Sequence, residues 1–531
     1  MVVKSKVYKG EYKESVFLMR ISQQIGGLDG VKQASAIMAT DANKELLKEA
    51  ETITDEVASA GSNDLAIVVD AESPEIAEDA ISQAEEMMKE AARERAEEAE
   101  KIYKTLNSAA QGEPDSNLVL ISVPGRFADR EAERALKAGK HVMIFSDGVS
   151  VEDEVRLKRL GREKDLLVMG SDCGTAIISG VGLGFANAVK RGPIGVVAAA
   201  GTGAQEVTSL VSEKGPGISH AIGTGGRDLH DEVGGITMLM GLQALSEDPE
   251  TETIVLVSKP PSPKVAEEIL ESASNVEKPV VIVFLGGDPK IIEEAGLTPA
   301  TTLEDAAMKA IALQGKGEAE SIIFSDELDE VKSIAKKEYE GLESGQKYVR
   351  GLYSGGTFCS ETMLILRELI GDTYSNVPLK PDLKLDDSNK SKEHTIVDMG
   401  EDEFTAEIDR PHPMIWHGLR QERIMSEASD PETAVILLDV VLGYGAHEDP
   451  AGELTPTIKE AKETAEKEGR SLPVVASVCG TAQDPQDLSD QEEKLADVGV
   501  IVMPSNAQAA RMAALIASRG EALDKLMGGK S

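Results

Sequence analysis

The 531-residue chain carries 94 acidic against 55 basic residues, a formal net charge of −39, with 41% hydrophobic residues, 49 Gly, 22 Pro and one Trp. That aliphatic content excludes a disordered acidic protein, and the length predicts three or more domains. The charge excludes broad-surface binding to nucleic acid or anionic membrane, though not a small anionic substrate held by helix N-terminal amides; otherwise it reads as a solvated, salt-adapted surface.

The opening MVVKSKVYKGEYKES has no signal-peptide core, and no stretch is apolar enough to span a bilayer, so a soluble cytoplasmic protein is expected. Residues 1–112 are predicted to form a small α+β domain. A periodic helix near Glu14 to Ile25 leads to a strand around Val31 to Ala39, and a second strand covers Leu65 to Val69. Ser73 is the expected N-cap, with Pro74 at the first position, of a long helix running through Met87, Met88 and Arg93 to about Tyr103. The Met pair reads as core packing. The polar stretch Asn107 to Asn117 (NSAAQGEPDSN) is predicted to be a linker marking the first boundary.

From Leu118 short apolar runs alternate with helical patterns: LVLISV, HVMIF, DLLVMG, IGVVAAA, ETIVLVS and PVVIVFL, up to about residue 315. This is the rhythm of a parallel, doubly wound sheet. A charged stretch, Gly315 to Gly345, connects to a region that repeats the first. Asp248-Pro249-Glu250-Thr251 and Asp430-Pro431-Glu432-Thr433, 182 residues apart, each precede an apolar strand. Pro279-Val280-Val281 is matched by Pro473-Val474-Val475, and the turn Ala200-Gly201-Thr202-Gly203 by Ser354-Gly355-Gly356-Thr357. Landmarks in one order predict a duplicated α/β domain.

Each repeat opens on a strand, a small-residue turn and a helix, VVAAAGTGAQEVTSLV and RGLYSGGTFCSETMLIL. Glycine admits a close ligand, and first-turn amides point at a docked anion. Gly201, Thr202, Gly203 and Ala204, with Gly355, Gly356 and Thr357, are therefore the candidate phosphate-binding residues; a tight turn with nothing bound is the plainer alternative. Beyond the carboxyl ends of an open parallel sheet is also where ligands bind. A second Gly-rich stretch, Ile222 to Asp228, offers Gly225, Gly226 and Arg227 as candidate substrate contacts, with Asp228 orienting Arg227. Its counterpart, IVDMGEDEFTAEIDRP, keeps the Gly but is acidic.

Cys173, in MGSDCGT, is a candidate substrate contact, although a buried inert thiol is the commoner reading. Cys173, Cys359 and Cys479 are too far apart to signal a disulfide framework or a zinc site, and no metal is expected. His220 and His230 flank the GTGG stretch. His412, His417 and His447 cluster loosely, and Arg410 to His417 holds the only Trp. That segment reads as a pocket lining or as a packed loop.

The order VPGRFADREAERALKAGKHVMIFSDGV, VMGSDCGTAI, GVVAAAGTGAQEV and GISHAIGTGGRDL resembles the α subunit of succinyl-CoA synthetase. TAVILLDVVLGYG, LPVVASVCGTAQD and KLADVGVIVMPS are similar to the ligase domain of its β subunit. With the extra N-terminal unit, the chain resembles the FdrA family of acyl-CoA-synthetase-like proteins over about residues 115–531. The resemblance implies an α/β fold: a CoA-binding, Rossmann-like domain at 113–190 and two flavodoxin-like, succinyl-CoA-synthetase-type ligase domains at 191–315 and 345–531.

Departures from the pattern shape the expected function. The synthetase α subunit phosphorylates a histidine on the loop after the PVV strand; here Pro279 to Leu285 leads into a shortened GGDPKIIEEAGLTPATTLEDAA, which has none. No domain-sized segment between the repeats can hold the β subunit's ATP-grasp region. FdrA resemblance implies instead a subunit of oxamate carbamoyltransferase, which with partner subunits in purine (allantoin) catabolism converts oxalurate and phosphate to oxamate and carbamoyl phosphate. Its alternatives are a residual acyl-CoA ligase binding CoA around Val123 to Arg126, Phe145 to Gly148 and Cys173, or a non-enzymatic scaffold. Phosphate or CoA is the expected ligand, and partner subunits or a homo-oligomer the expected assembly. Both turns, AAAGTGAQ and YSGGTFCS, are free of charged side chains, so the anion site would be built of amides and hydroxyls.

Overall fold

A computed structural model describes residues 2–528 apart from 12, 14, 51, 98–101, 316, 318–320 and 406–410. Residues Met1–Lys104 and Thr105–Ser531 form separate units. In the first, the antiparallel strands Val2–Tyr8 and Val31–Met38 flank Leu65–Ala71. The central strand is buried along its whole length because both faces are covered. Leu18, Ile21 and Ile25 of helix Ser15–Gly26 and Ala77, Ala80 and Ala84 of helix Pro74–Glu97 pack on Ile67 and Val69, while Leu47 and Val57 pack on Ala66 and Val68. Met88 is buried and Met87 packs beside it, as core residues. Ser73 Oγ accepts the Ile76 N–H at 3.4 Å, ahead of Pro74. Glu14, and residues 98–101 of the expected extension to Tyr103, lie outside the described residues. The strand Val2–Tyr8 is an addition: Val3 and Val7 pack against the core, while Lys4 and Lys6 pair with Glu78 and Glu85.

The expected linker at Asn107 to Asn117 is corrected. Leu106–Gly112 is a helix whose Thr105 and Ser108 cap each other reciprocally, and Leu106 packs on the core around Ile121 and Ala128. The charged connector likewise contains helix Leu328–Glu340, whose Val331 and Ala335 are buried in the large core shared with helix Asn506–Ala517.

The second unit begins with three parallel strands, Leu118–Ile121, His141–Ile144 and Val168–Met169, packed by helices Gly125–Lys137 and Val151–Glu163. A hairpin, Thr175–Ile178 and Val181–Gly184, then joins the edge of the first repeat's sheet. That repeat contributes the parallel strands Arg191–Ala198, Ile218–Gly223, Thr253–Ser258, Val280–Phe284 and Thr298–Ala300. The second repeat contributes Tyr348–Tyr353, Thr395–Asp398, Thr433–Val441, Val474–Cys479 and Ile501–Met503. Within each repeat the second strand lies outside the first and the third to fifth follow on its other side. That is the flavodoxin-like order, in which the switch between first and third strands opens a crevice at their carboxyl ends. One apolar cluster containing Val207, Val211, Phe358, Met363, Leu366 and Met512 joins the repeats. Among the described residues no helix is long and apolar enough to cross a membrane.

Candidate functional site: two helix N-termini that meet

In each repeat the first strand ends in small residues and turns directly into a helix, Gly201–Lys214 or Gly356–Leu369. The N-caps Ala200 and Gly355 have no side-chain capping bond, so an α-helix's unpaired first-turn amides are left without a built-in acceptor from the cap. The two turns interlock. A Cβ on Gly355 would lie 2.7 Å from Thr202 Cγ2 and 2.9 Å from its Oγ1; one on Gly203 would lie 3.1 Å from Thr357 Cγ2. Each threonine is buried and sits on the other turn's glycine. Gly355→Ala is accordingly expected to cost about 1–3 kcal/mol by overpacking, with Thr202→Ser, which removes the methyl, recovering part of it. A thermal double-mutant cycle checks this; no coupling between the two changes would show that the turns do not touch.

The turns are not chemically equivalent. Asp439 accepts the Ser354 N–H at 2.8 Å, the Gly355 N–H at 2.9 Å and the Ser354 hydroxyl at 2.8 Å, and pairs with the buried Arg420 at 3.0 Å. A Cβ on Gly356 would lie 2.4 Å from Asp398 Oδ2. Burial pushes the Asp398 carboxyl up to about 7, with Glu401 adding to the rise and the Gly400 N–H and Lys259 opposing it. Gly355 therefore serves through its missing side chain, since its amide is already bonded, and the expectation of it as a phosphate donor is corrected. Ala204 is corrected likewise: its N–H closes the first helical bond to Ala200 O at 2.9 Å. Gly201, Thr202 and Gly203 are left as first-turn donors, with Thr357 reaching across and Gly356 facing Asp398.

The second Gly-rich stretch is structural. Gly225 adopts φ +82°, and a Cβ there would lie 2.2 Å from Ser171 O, so glycine lets two backbones touch. Arg227 bonds Glu154 at 2.9 Å, Ser171 Oγ at 2.6 Å and Val149 O at 2.8 Å, which corrects its assignment to substrate. Asp228 turns away from it to Lys158 at 2.7 Å and to the Met238 N–H at 2.8 Å. Gly226 faces open space. Cys173 is 2% exposed, its Sγ against Gly223, and burial pushes the thiol up to about 12; it is not placed to meet a substrate.

His220 Nδ1 accepts the Ser179 N–H at 3.2 Å. His417 is buried and His412 half-buried, and desolvation pushes the imidazole of His412 down to about 4 and that of His417 well below its usual range. The His417 and His447 rings lie 5.4 Å apart, so the loop is largely packed; Arg410 lies outside the described residues. Val123 to Arg126 and Phe145 to Gly148 do adjoin. The Val123 N–H bonds Ser146 Oγ at 3.0 Å, and a Cβ on Gly125 would lie 2.1 Å from Asp147 O. Val123 and Phe127 are exposed there, with the Arg126 guanidinium 4.8 Å from the Phe127 ring centre.

The CoA-ligase family pattern matches residues 352–516, the CoA binding domain pattern residues 189–286, and a pattern described as the AllF heavy metal-associated domain residues 1–104. With two flavodoxin-like repeats whose turns meet, these matches define a protein of the acyl-CoA synthetase, succinate–CoA ligase-like superfamily. The protein YahF of Escherichia coli strain K12 is 45% identical over 98% of this chain and 100% of its own length, and the chain belongs to its family. The malate–CoA ligase subunit alpha of Methylorubrum extorquens is 30% identical over 41% of this chain and 75% of its own length. A dinucleotide-forming acetyl-coenzyme A synthetase 1 of Korarchaeum cryptofilum, solved with phosphate and ADP, is 16% identical, covering 78% of this chain and 85% of that one at a TM-score of 0.32. The heavy-metal name of the N-terminal pattern does not fit this chain's chemistry. Residues 1–104 contain neither Cys nor His, the usual thiolate and imidazole ligands of such metals, and Met38, Met87 and Met88 are packed in or against the apolar core.

Proposed function

We propose that the chain is a subunit of an FdrA-type oxamate carbamoyltransferase, working with partner subunits in the cytoplasm on the phosphorolysis of oxalurate. The observation that carries this reading is the meeting of the two turns, with the first turn free of carboxylates. Phosphate docks on the Gly201, Thr202 and Gly203 amides and the Thr202 and Thr357 hydroxyls, where dipole and donors favour an anion. A phosphate oxygen attacks the carbamoyl carbon, the bond to the oxamate nitrogen breaks, and oriented donors stabilise the oxyanion. Neither ATP nor a phosphohistidine enters. The test is the purified assembly supplied with oxalurate and phosphate: carbamoyl phosphate should form, and no turnover with all partners present overturns the reading.

A second reading, an acyl-CoA ligase subunit, is favoured by the adjacency of Val123 to Arg126 and Phe145 to Gly148. Titration calorimetry with CoA decides it. Heat that vanishes in Arg126→Glu supports it, and no heat removes it.

A further inference from the structure

The two repeats share strand order and turn, so positions that differ at the ends of equivalent strands stand out. Val197 and Leu352 each precede their helix by four residues and pair with Leu256 and Leu438 of the third strands. Continuing that register, Val257 corresponds to Asp439 and Lys259 to Val441. In the second strands, Gly223 pairs with Ala198 as Asp398 pairs with Tyr353, so Gly223 corresponds to Asp398. One repeat therefore supplies a cation and the other two carboxylates, all at the crevice where the turns meet.

Asp398 is held firmly. Its N–H donates to Asn376 Oδ1 at 3.0 Å, its carbonyl accepts from Asn376 Nδ2 at 2.8 Å, and its Oδ1 accepts the Gly400 N–H at 3.0 Å. Its Oδ2 faces Gly356, the first residue of the second helix. Asp439, whose two oxygens already serve the Ser354 and Gly355 amides, has no such open atom. Lys259 is exposed just beyond the end of strand Thr253–Ser258, and its charge is felt at both Asp398 and Cys359 of the second repeat.

We propose that Asp398 is the proton relay of the transfer site and Lys259 the side-chain cation that holds its anion. The assignment rests on the phosphorolysis reading above. Monohydrogen phosphate brings one proton. As its oxygen bonds to the carbamoyl carbon, Asp398 takes that proton and passes it to the leaving amide nitrogen when the C–N bond breaks. Protons and charge balance without a further reagent: oxamate leaves with the proton and carbamoyl phosphate keeps none. A carboxyl poised near 7 suits a relay that must both take and give a proton at neutral pH. The charged and titratable groups around it are Glu401 and Asp439, which raise it, Lys259, which lowers it, and Cys359 and His412 beside the same turn and Gly400.

The experiment uses the complete enzyme with its partners. Asp398→Asn should lower kcat about a hundredfold or more with little change in KM. Lys259→Ala should raise the KM for phosphate about tenfold, Lys259→Arg restoring much of it. An infrared titration supplies a readout independent of turnover: a buried carboxylic-acid band should titrate near 7, vanish in Asp398→Asn, and move to higher pH in Lys259→Ala because an opposing positive charge is gone. Calorimetry with inorganic phosphate should show weaker binding in Lys259→Ala. Full turnover in both variants overturns the pair and leaves the reaction standing. Absence of turnover in the wild-type assembly overturns the reaction, and the infrared band and phosphate binding then decide the pair; a band titrating in the ordinary carboxylate range, or unchanged phosphate affinity, overturns it.

Discussion

Lys158→Met is expected to destabilise the second unit by about 3–5 kcal/mol, because it removes one member of a buried ionic network and takes from Asp228 its ion-pair partner, while Glu154 keeps Arg227. Lys158 is 1% exposed and donates to Thr224 O at 2.8 Å and Asp228 Oδ1 at 2.7 Å, while Glu154 Oε1 lies 3.0 Å from the ammonium as an ion pair. Lys158 and Glu154 belong to helix Val151–Glu163, and Thr224 and Asp228 follow strand Ile218–Gly223 of the first repeat. The network therefore fastens the three-stranded domain to the repeat that carries the first turn. Asp228 also accepts the Thr237 and Met238 N–H groups that open helix Ile236–Glu247. Thermal denaturation should show a midpoint lowered by roughly 10 °C, with proteolysis beginning around residues 113–190. A loss under about 1 kcal/mol would mean that the ammonium and its partners merely offset their own desolvation.

The same network shows where sequence reasoning stops. Arg227 follows a Gly-rich turn and looked free to bind substrate, but Glu154 and Ser171, which hold it, lie 73 and 56 residues upstream, beyond the reach of any local pattern. The duplication was legible because its markers are local: the Asp-Pro-Glu-Thr starts, the Pro-Val-Val strands and the Gly-Thr turns all recur in order. Strand order then follows, since an amphipathic βα rhythm with short loops allows few topologies. Leu106–Gly112 escaped because its composition is that of a loop, and a Thr105–Ser108 cap lacks the Glu or Gln that usually announces a capping box. Asp398 lies in IVDMGEDEFTAEIDRP, the acidic counterpart of the GTGG stretch. No repeated motif marks it, because the equivalent position in the first repeat is Gly223.

Glu206 and Glu361 are each the sixth residue of their helix, five places beyond the turn glycine, so the repeated pattern is Gly-Thr-x-x-x-Glu. Each crosses to the other repeat. Glu206 accepts the Asn506 N–H at 3.0 Å, at the start of helix Asn506–Ala517, and Glu361 accepts the Leu303 N–H at 2.8 Å, at the start of helix Leu303–Gln314. Glu361 also accepts from Asn506 Nδ2 at 2.7 Å. These reciprocal caps hold the two turns opposite one another. Glu361→Ala leaves the buried Leu303 N–H without its acceptor, leaves Asn506 Nδ2 only its bond to Phe358 O at 3.2 Å, and opens a cavity, an expected loss of about 3 kcal/mol.

Glu206→Gln should behave differently. Burial, reinforced by Glu361 and Glu304 and opposed by the Asn506 N–H, pushes the Glu206 carboxyl up to about 8. A folded-state value above the unfolded one means that the folded chain binds the extra proton. Stability from this group is therefore complete at acid pH and drains away as pH rises from the ordinary glutamate range through about 8. Glutamine keeps the acceptor for Asn506 and has no proton to lose. Urea denaturation from about pH 5 to about pH 9 should show the variant gaining on wild type as pH rises, each unit of the window contributing about 1.4 kcal/mol at most. Parallel curves across that range would show that Glu206 is ionised in the folded protein, and would leave the cross-repeat cap as an ordinary charged one.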